Sequence, residues 1–266
     1  MSRPFLKMNG LGNDFVVVEA RQHPFRPGQE EARAIARREG GIGCDQLIAI
    51  EPSDKADAFM RIWNADGGEV SACGNATRCV GWLLMNESGR DEAVIETKAG
   101  RLPVRRAGPT AVSVDMGAPG LAWDEIPLAC PMDTATLDFE AGGLSGPGAV
   151  SMGNPHVVFF TDDVDAAGVI GPAVEHDPLF PDAVNVGFAQ VKGQDRIRLR
   201  VWERGAGLTK ACGTGACAAL VAASRRGLTG RRATLELDGG ELDIEWRADD
   251  HVIMTGPVAV EFEGEL

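Results

Sequence analysis

A thiol whose ordinary pKa lies near ~8.5 can give or take a proton at neutral pH once its surroundings lower that value. Six cysteines occur in this chain of 266 residues, and two of them, Cys73 and Cys212, stand in matching surroundings. Trp63, Gly68, Ala72, Cys73 and Gly74 recur as Trp202, Gly207, Ala211, Cys212 and Gly213, every pair separated by the same 139 residues. In each copy an apolar extended stretch (Phe59–Trp63, Ile197–Trp202) enters a turn of small residues. A Cys-Gly pair then opens an apolar run (Val80–Met85, Ala218–Ala223). This pattern predicts a strand, a glycine-bearing loop and a cysteine-headed helix, made twice. Unpaired N–H groups and the positive dipole end at a helix start favour a thiolate. Cys79 and Cys217 fall inside the same helices, where a buried cysteine is a small inert hydrophobe.

Two halves related by a pseudo-two-fold axis would place Cys73 and Cys212 on opposite sides of one site. Opposed groups are what inversion at carbon requires, because one base removes a proton from one face and an acid returns one to the other. One sulfur is then thiolate and the other thiol, and their titration belongs to the pair. Backbone N–H groups of Gly74-Asn75 and Gly213-Thr214 are placed to grip a carboxylate beside the reacting carbon and the charge that builds on it. Such chemistry needs no cofactor and no metal, and none of the five lysines has a context marking a pyridoxal Schiff base.

Other polar residues gather in the same repeated stretches. Asn13, Asn64, Asn154 and Asn185 occupy strand ends or glycine turns, where an asparagine can also simply serve the turn. Arg204, directly before Gly205-Ala206-Gly207, can hold a second carboxylate with its bidentate fork, or be a surface arginine. Glu203 suits a substrate ammonium. Of four histidines only His156 sits in a repeated turn, whereas His23, His176 and His251 read as surface or loop residues.

The elements that must position these groups follow the same repeat. Asn9–Phe15 is a glycine-rich turn into the strand Phe15–Glu19, and Gln29–Arg38 reads as a surface helix ending at Gly40-Gly41. Ile42–Ile50 reads as a strand bearing Asp45 and Gln46, and further strands follow near Ala93–Lys98, Gly100–Arg105 and Ala111–Met116. Gly117–Gly148, rich in Gly and Pro, is the crossover between halves. Gly153-Asn154 before Val157–Phe160 then repeats Gly12-Asn13 before Val16–Val18, and Asp162–Val174, with Asp162 or Asp163 as N-cap, replaces the surface helix. Thr234–Glu245 and His251–Phe262 alternate as antiparallel strands. The expected fold is α+β, with two similar halves facing each other across an active-site cleft. One half comprises residues 1–117 with the C-terminal strand 256–266, and the other residues 118–255.

A net charge of −13 argues against nucleic acid and anionic membranes as partners. No apolar run approaches the roughly 20 residues that span a bilayer, and the first residues lack a signal-peptide pattern. The reading is a cytoplasmic protein with reduced cysteines. No Cys-x-x-Cys occurs, which disfavours the alternative of a thiol redox or zinc protein.

Taken together, Asn9–Phe15, Gly43-Cys-Asp-Gln46, Asn64-Ala-Asp-Gly67 through Cys73-Gly-Asn75 with Arg78-Cys79, Gly153-Asn-Pro-His156, Asn185-Val-Gly-Phe188, and Glu203-Arg-Gly-Ala-Gly207 through Cys212-Gly-Thr-Gly-Ala-Cys217 resemble the diaminopimelate epimerase family. Any one piece is weak, but six in family order are highly specific. The resemblance implies cofactor-independent interconversion of LL-2,6-diaminoheptanedioate and its meso form in lysine and peptidoglycan precursor synthesis, with Cys73 and Cys212 as acid and base. It implies that Asn13, Asn64, Asn154, Asn185 and Arg204 hold the non-reacting end of the substrate, with Gln46 nearby. Gly74, Asn75, Gly213 and Thr214 would bind the reacting carboxylate, Glu203 the amino group, and His156 and Glu203 would adjust the thiols. A homodimer is typical. Gly68 stands where the family often has Ser, and Ala76 where it often has Gly. Proline racemase and 4-hydroxyproline epimerase share the two-cysteine logic, but their substrates carry one carboxylate and have no use for Arg204 with four asparagines. A non-catalytic domain keeping the cleft would bind substrate without exchanging its α-hydrogen.

Overall fold

A computed structural model describes residues 3–266, so Met1 and Ser2, the start of the stretch read above for a signal sequence, lie outside it. The chain forms two compact units, one ending at Asp115 and taking back Thr255–Leu266, the other Met116–Met254.

The first unit opens with a hairpin of β1 (Pro4–Gly10) and β2 (Asn13–Glu19). Its two-residue turn, Leu11-Gly12, has φ of 66° and 78°, the left-handed pair that matches strand twist. Asn9 Oδ1 closes the turn on the Gly12 N–H at 2.8 Å, and Asn13 emerges at the strand start. Helix α1 (Gln29–Ala36) then carries the chain over to β3 (Gln46–Glu51), parallel to β2, with Phe15 level with Gln46. β2 and β3 are apolar runs buried along most of their length, as expected of strands in a parallel pair covered on both faces.

Antiparallel β4 (Ala58–Asn64) returns with Asn64 opposite Gln46, and short β5 (Glu69–Val70) folds back on it. The tight turn demands glycine: a Cβ on Gly67, at φ 81°, would meet the Gln29 carbonyl oxygen at 2.2 Å. Helix α2 (Gly74–Ser88) ends on Gly89 at φ 70°, a left-handed cap, and crosses to β6 (Glu92–Thr97), parallel to β4. The meander β7 (Gly100–Gly108) and β8 (Ala111–Asp115) follows.

The second unit begins with residues 116–147, which carry a small hairpin, β9 (Glu140–Ala141) and β10 (Leu144–Ser145). These residues are more than a crossover. Ile126, Leu128 and Leu137 are buried in the same core as Phe159, Phe180 and Phe188, and Phe159 stacks on Phe188 at 5.7 Å. After that the earlier path is repeated. β11 (Gly148–Ser151) and β12 (Pro155–Phe160) form a hairpin, α3 (Ala167–Glu175) crosses to parallel β13 (Asn185–Gly193), and His156 is level with Asn185. Antiparallel β14 (Arg196–Glu203), short β15 (Gly207–Leu208) and α4 (Gly213–Arg225) lead to β16 (Arg232–Leu237), parallel to β14 and paired with β17 (Gly240–Trp246). β18 (Val252–Pro257) starts in this unit and runs past its last residue, Met254, and β19 (Ala259–Glu265), part of the first unit, pairs with β1. The fold is α+β with two similar halves, each built on two helix crossovers between parallel strands.

Some elements begin later than their sequence pattern suggests. Residues 42–45 are not strand: Gly43 turns at φ 81° and Asp45 lies in a bend, so the strand starts at Gln46. Asp163 does cap, but it caps a short 3-10 turn, Val164–Ala166, from which α3 continues at Ala167. Among the described residues no helix is long and apolar enough to cross a membrane.

Candidate active site

In the first unit the strand pairing brings three polar ends together. β2 and β3 start side by side, and β4 ends opposite the start of β3, so Asn13, Gln46 and Asn64 share one edge. Gln46 Nε2 donates to Asn64 Oδ1 at 2.9 Å, which leaves the Asn64 amide N–H groups outside this bond. Cys73 is the N-cap of α2. Its Sγ is 3.5 Å from the Ala76 N–H and 4.0 Å from Asn13 Oδ1, and Asn75 Nδ2 is 3.5 Å from the same oxygen. Gly10 lets α2 come this close, because a Cβ there would lie 3.0 Å from the Asn75 carbonyl oxygen.

Behind Asn13 lies a charged cluster that sequence reasoning did not single out. Asp45 Oδ2 accepts from Asn13 Nδ2 at 2.7 Å and from the Asp14 N–H at 3.0 Å, and the Asp45 N–H returns a bond to Asp14 Oδ1 at 3.0 Å. Arg38 and the buried Lys7 neutralise the two carboxylates, Lys7 reaching Asp14 at 2.6 Å. Burial pushes the Asp14 pKa up, but hydrogen bonds from Arg38 and Lys7 outweigh it and hold the group well below the usual carboxylate range. Asp45 stands beside Gln46 within the Gly43-Cys-Asp-Gln46 piece, and that placement was its signal in the sequence.

In the second unit Cys212 is the N-cap of α4 and is 4% exposed. Its Sγ lies 3.7 Å from Thr214 Oγ1, which accepts from Asn154 Nδ2 at 3.4 Å. Asn154 Oδ1 is 3.1 Å from His156 Nε2. Burial, and then the Glu203 carboxylate, push the Cys212 thiol well above its ordinary value. Burial also raises Glu203, although the Thr209 hydroxyl, which donates to Glu203 Oε1, opposes it. Thr209 was not anticipated, since nothing in its sequence context marks it. His156 is fully enclosed, and burial followed by the Arg204 charge lowers its pKa to about 3, so the ring is neutral.

Asn185 Nδ2 donates to the Pro155 carbonyl at 2.8 Å, and its Oδ1 accepts the Arg204 backbone N–H at 3.0 Å. The Arg204 guanidinium donates to the Asp182 carbonyl at 2.9 Å. The anticipated site residues therefore divide between the two units, each of which has one cysteine-capped helix: Asn13, Gln46, Asn64, Cys73, Gly74 and Asn75 in one, and Asn154, His156, Asn185, Glu203, Arg204, Cys212, Gly213 and Thr214 in the other. Cys79 and Cys217 are fully buried within α2 and α4, and burial raises Cys79 to about 12.

The same two-half architecture occurs in solved structures of other proteins. A hydroxyproline epimerase from Agrobacterium vitis, with bound trans-4-hydroxy-L-proline, superposes with a TM-score of 0.70 at 16% identity, covering 100% of this chain and 91% of that one. A Bacillus anthracis phenazine biosynthesis protein of the PhzF family gives 0.69 at 16% identity, covering 100% and 99%. At such identities the likeness concerns the fold alone. Sequence comparison is more specific. The diaminopimelate epimerase family model matches residues 5–122 and 148–261, and the chain belongs to that family. It is 70% identical to a diaminopimelate epimerase of Phenylobacterium zucineum, over 100% of this chain and 98% of that protein. It is 59% identical to the one from Acidiphilium cryptum, over 100% and 96%. Residues 123–147, which build part of the second unit's core, fall outside the family match.

Proposed function

We propose that this isomerase interconverts LL-2,6-diaminoheptanedioate and its meso form without a cofactor, in lysine and peptidoglycan precursor synthesis. Family membership over nearly the whole chain supports the substrate, and one observation carries the mechanism: the same helix in each half is headed by a cysteine. In this reading the two sulfurs lie on opposite faces of the α-carbon. The thiolate takes the α-hydrogen as a proton and leaves its electron pair on carbon, delocalised into the carboxylate. The opposite thiol then delivers its own proton to the other face. Each turnover exchanges the roles of the two cysteines, and the reverse reaction uses them in the other order.

The surrounding groups support distinct tasks. N–H groups at the starts of α2 and α4, with Asn75 and Thr214, receive the reacting carboxylate and the charge that grows on it. Asn13, Gln46, Asn64, Asn154, Asn185 and Arg204 hold the second amino-acid end, and Glu203 receives an ammonium. His156 and Glu203 set the ionisation of the thiols. A cytoplasmic homodimer completes the proposal. Val260 and Phe262 on β19 stand exposed on a strand that suits a contact between copies. Purified protein given LL-diaminopimelate and no cofactor should form the meso isomer. Racemisation of free proline with LL-diaminopimelate left untouched overturns the assignment.

A further inference from the structure

Glu175 is the last residue of α3, is 5% exposed, and belongs to none of the groups described above. A carboxylate at a helix C-terminus faces the negative end of the dipole, and burial disfavours its charge further. Two short hydrogen bonds compensate. Glu175 Oε2 accepts from Trp202 Nε1 at 2.7 Å, and Oε1 from the Gly205 N–H at 2.7 Å. Burial alone raises its pKa, but these two donors outweigh that and keep it ionised.

The two bonded residues bracket Glu203 and Arg204. Trp202 is also pressed on α3 itself: a Cβ added to Gly171 would lie 2.5 Å from the Trp202 Cβ. Gly205 and Gly207 turn at φ 72° and 78°, and the Ala206 N–H closes the turn on the Glu203 carbonyl at 3.1 Å. Asn185 holds the Arg204 backbone N–H and the Asp182 carbonyl holds its guanidinium, while Glu175 fixes the next N–H along the glycine-rich turn, that of Gly205. The first half manages the corresponding turn differently. There Arg33 Nε and Gln29 Nε2 of α1 hold the Asp66 carbonyl at 3.3 and 3.4 Å, at an exposed position. A buried carboxylate is used where the turn carries the charged pair.

We propose that Glu175 is a positioning residue for recognition of the substrate's second, non-reacting carboxylate: by fixing Trp202 and the Gly205 N–H it pre-orders the turn that presents Arg204. This rests on the reading above that Arg204 receives that carboxylate. Pre-ordering lowers the cost of binding and leaves proton transfer at the far end of the substrate alone.

The test is Glu175→Gln, whose side chain keeps the shape but offers one oxygen to two donors and turns its NH2 toward the other. KM for LL-diaminopimelate should rise about tenfold with kcat within about twofold, the pattern of a lost uniform binding interaction. In an Arg204→Lys background the same change should add less than about twofold, because coupled residues are not additive. An equal rise in both backgrounds, or a lower kcat at unchanged KM, overturns the proposal. If Glu175→Gln folds poorly, Trp202→Phe removes one of the two donors and should raise KM about threefold, and no rise overturns it equally. Hydrogen–deuterium exchange provides a readout that needs no substrate. Residues 202–208 should exchange faster in Glu175→Gln than in wild type, with β12 and β13 unchanged. Wild-type protein inert toward LL-diaminopimelate refutes the functional reading, whereas equal protection of residues 202–208 in both proteins refutes the role of Glu175 itself.

Discussion

The amide of Asn13 and the carboxylate of Asp45 are joined by a 2.7 Å hydrogen bond that decides which end of the amide faces Cys73. Asp45 can only accept, so the Asn13 NH2 must point to it and Oδ1 must point toward the thiol and Asn75. Asp45→Asn removes the charge from this bond and frees the Asn13 amide to turn. A hydrogen bond to a charged group is worth roughly 1.5–3 kcal/mol, so kcat/KM should fall about ten- to a hundredfold. Steady-state kinetics checks this, and an unchanged kcat/KM contradicts it.

His156 gives a pH dependence with a definite sign. The folded protein holds this ring near pKa 3, against about 6.5 when unfolded, so between those values the unfolded chain binds a proton that the native state refuses. Stability therefore rises with pH across that window, by about 1.4 kcal/mol per pH unit, and is lost as pH falls below about 6.5. Urea unfolding at pH 7 and pH 5 should show the wild type losing roughly 2 kcal/mol more than His156→Gln. Equal losses in the two proteins would mean that the ring is not held neutral.

Serine in place of either capping cysteine nearly preserves size but replaces the thiol by a hydroxyl, a much weaker acid. Cys73→Ser and Cys212→Ser should each lose about 10²–10⁴-fold in turnover, the usual worth of a general acid or base. Melting temperature and circular dichroism should stay near wild type. A serine variant with near-normal turnover removes that residue from the mechanism.

Gly215 separates helix stability from site geometry. Alanine favours a helix interior by about 1 kcal/mol over glycine, but a Cβ there would lie 2.9 Å from Val201 Cγ2 and 3.2 Å from the Cys212 Sγ. Overpacking costs typically ~1–3 kcal/mol, so Gly215→Ala should be neutral to mildly destabilising. Because the relief moves Cys212, activity should fall by more than stability does. Thermal melts alongside turnover decide it, and full activity would show that the sulfur has room to spare.

Much of this site was legible because the chain states it twice. The spacing from Cys73 to Cys212 marks corresponding positions, and small residues before a Cys-Gly pair mark a helix start, which is where both cysteines lie. Asn64 and Glu203 end corresponding strands for the same reason. The supporting groups were not legible. Asp45 acts on Asn13 only because β2 and β3 pair in parallel, and Glu175 acts on Gly205 only because α3 ends beside that turn. Neither register nor helix placement leaves a local pattern. The apolar run from Ile42 concealed the Gly43 turn, and the Gly and Pro of residues 117–148 hid three side chains that belong to the core.

The most direct test of proton exchange between two cysteines is to incubate wild-type protein with LL-diaminopimelate in D2O, without cofactor, and follow the product by NMR and mass spectrometry. Meso product carrying deuterium at the inverted α-carbon is the predicted result. Meso product that retains its original hydrogen, or no exchange and no product at all, contradicts it.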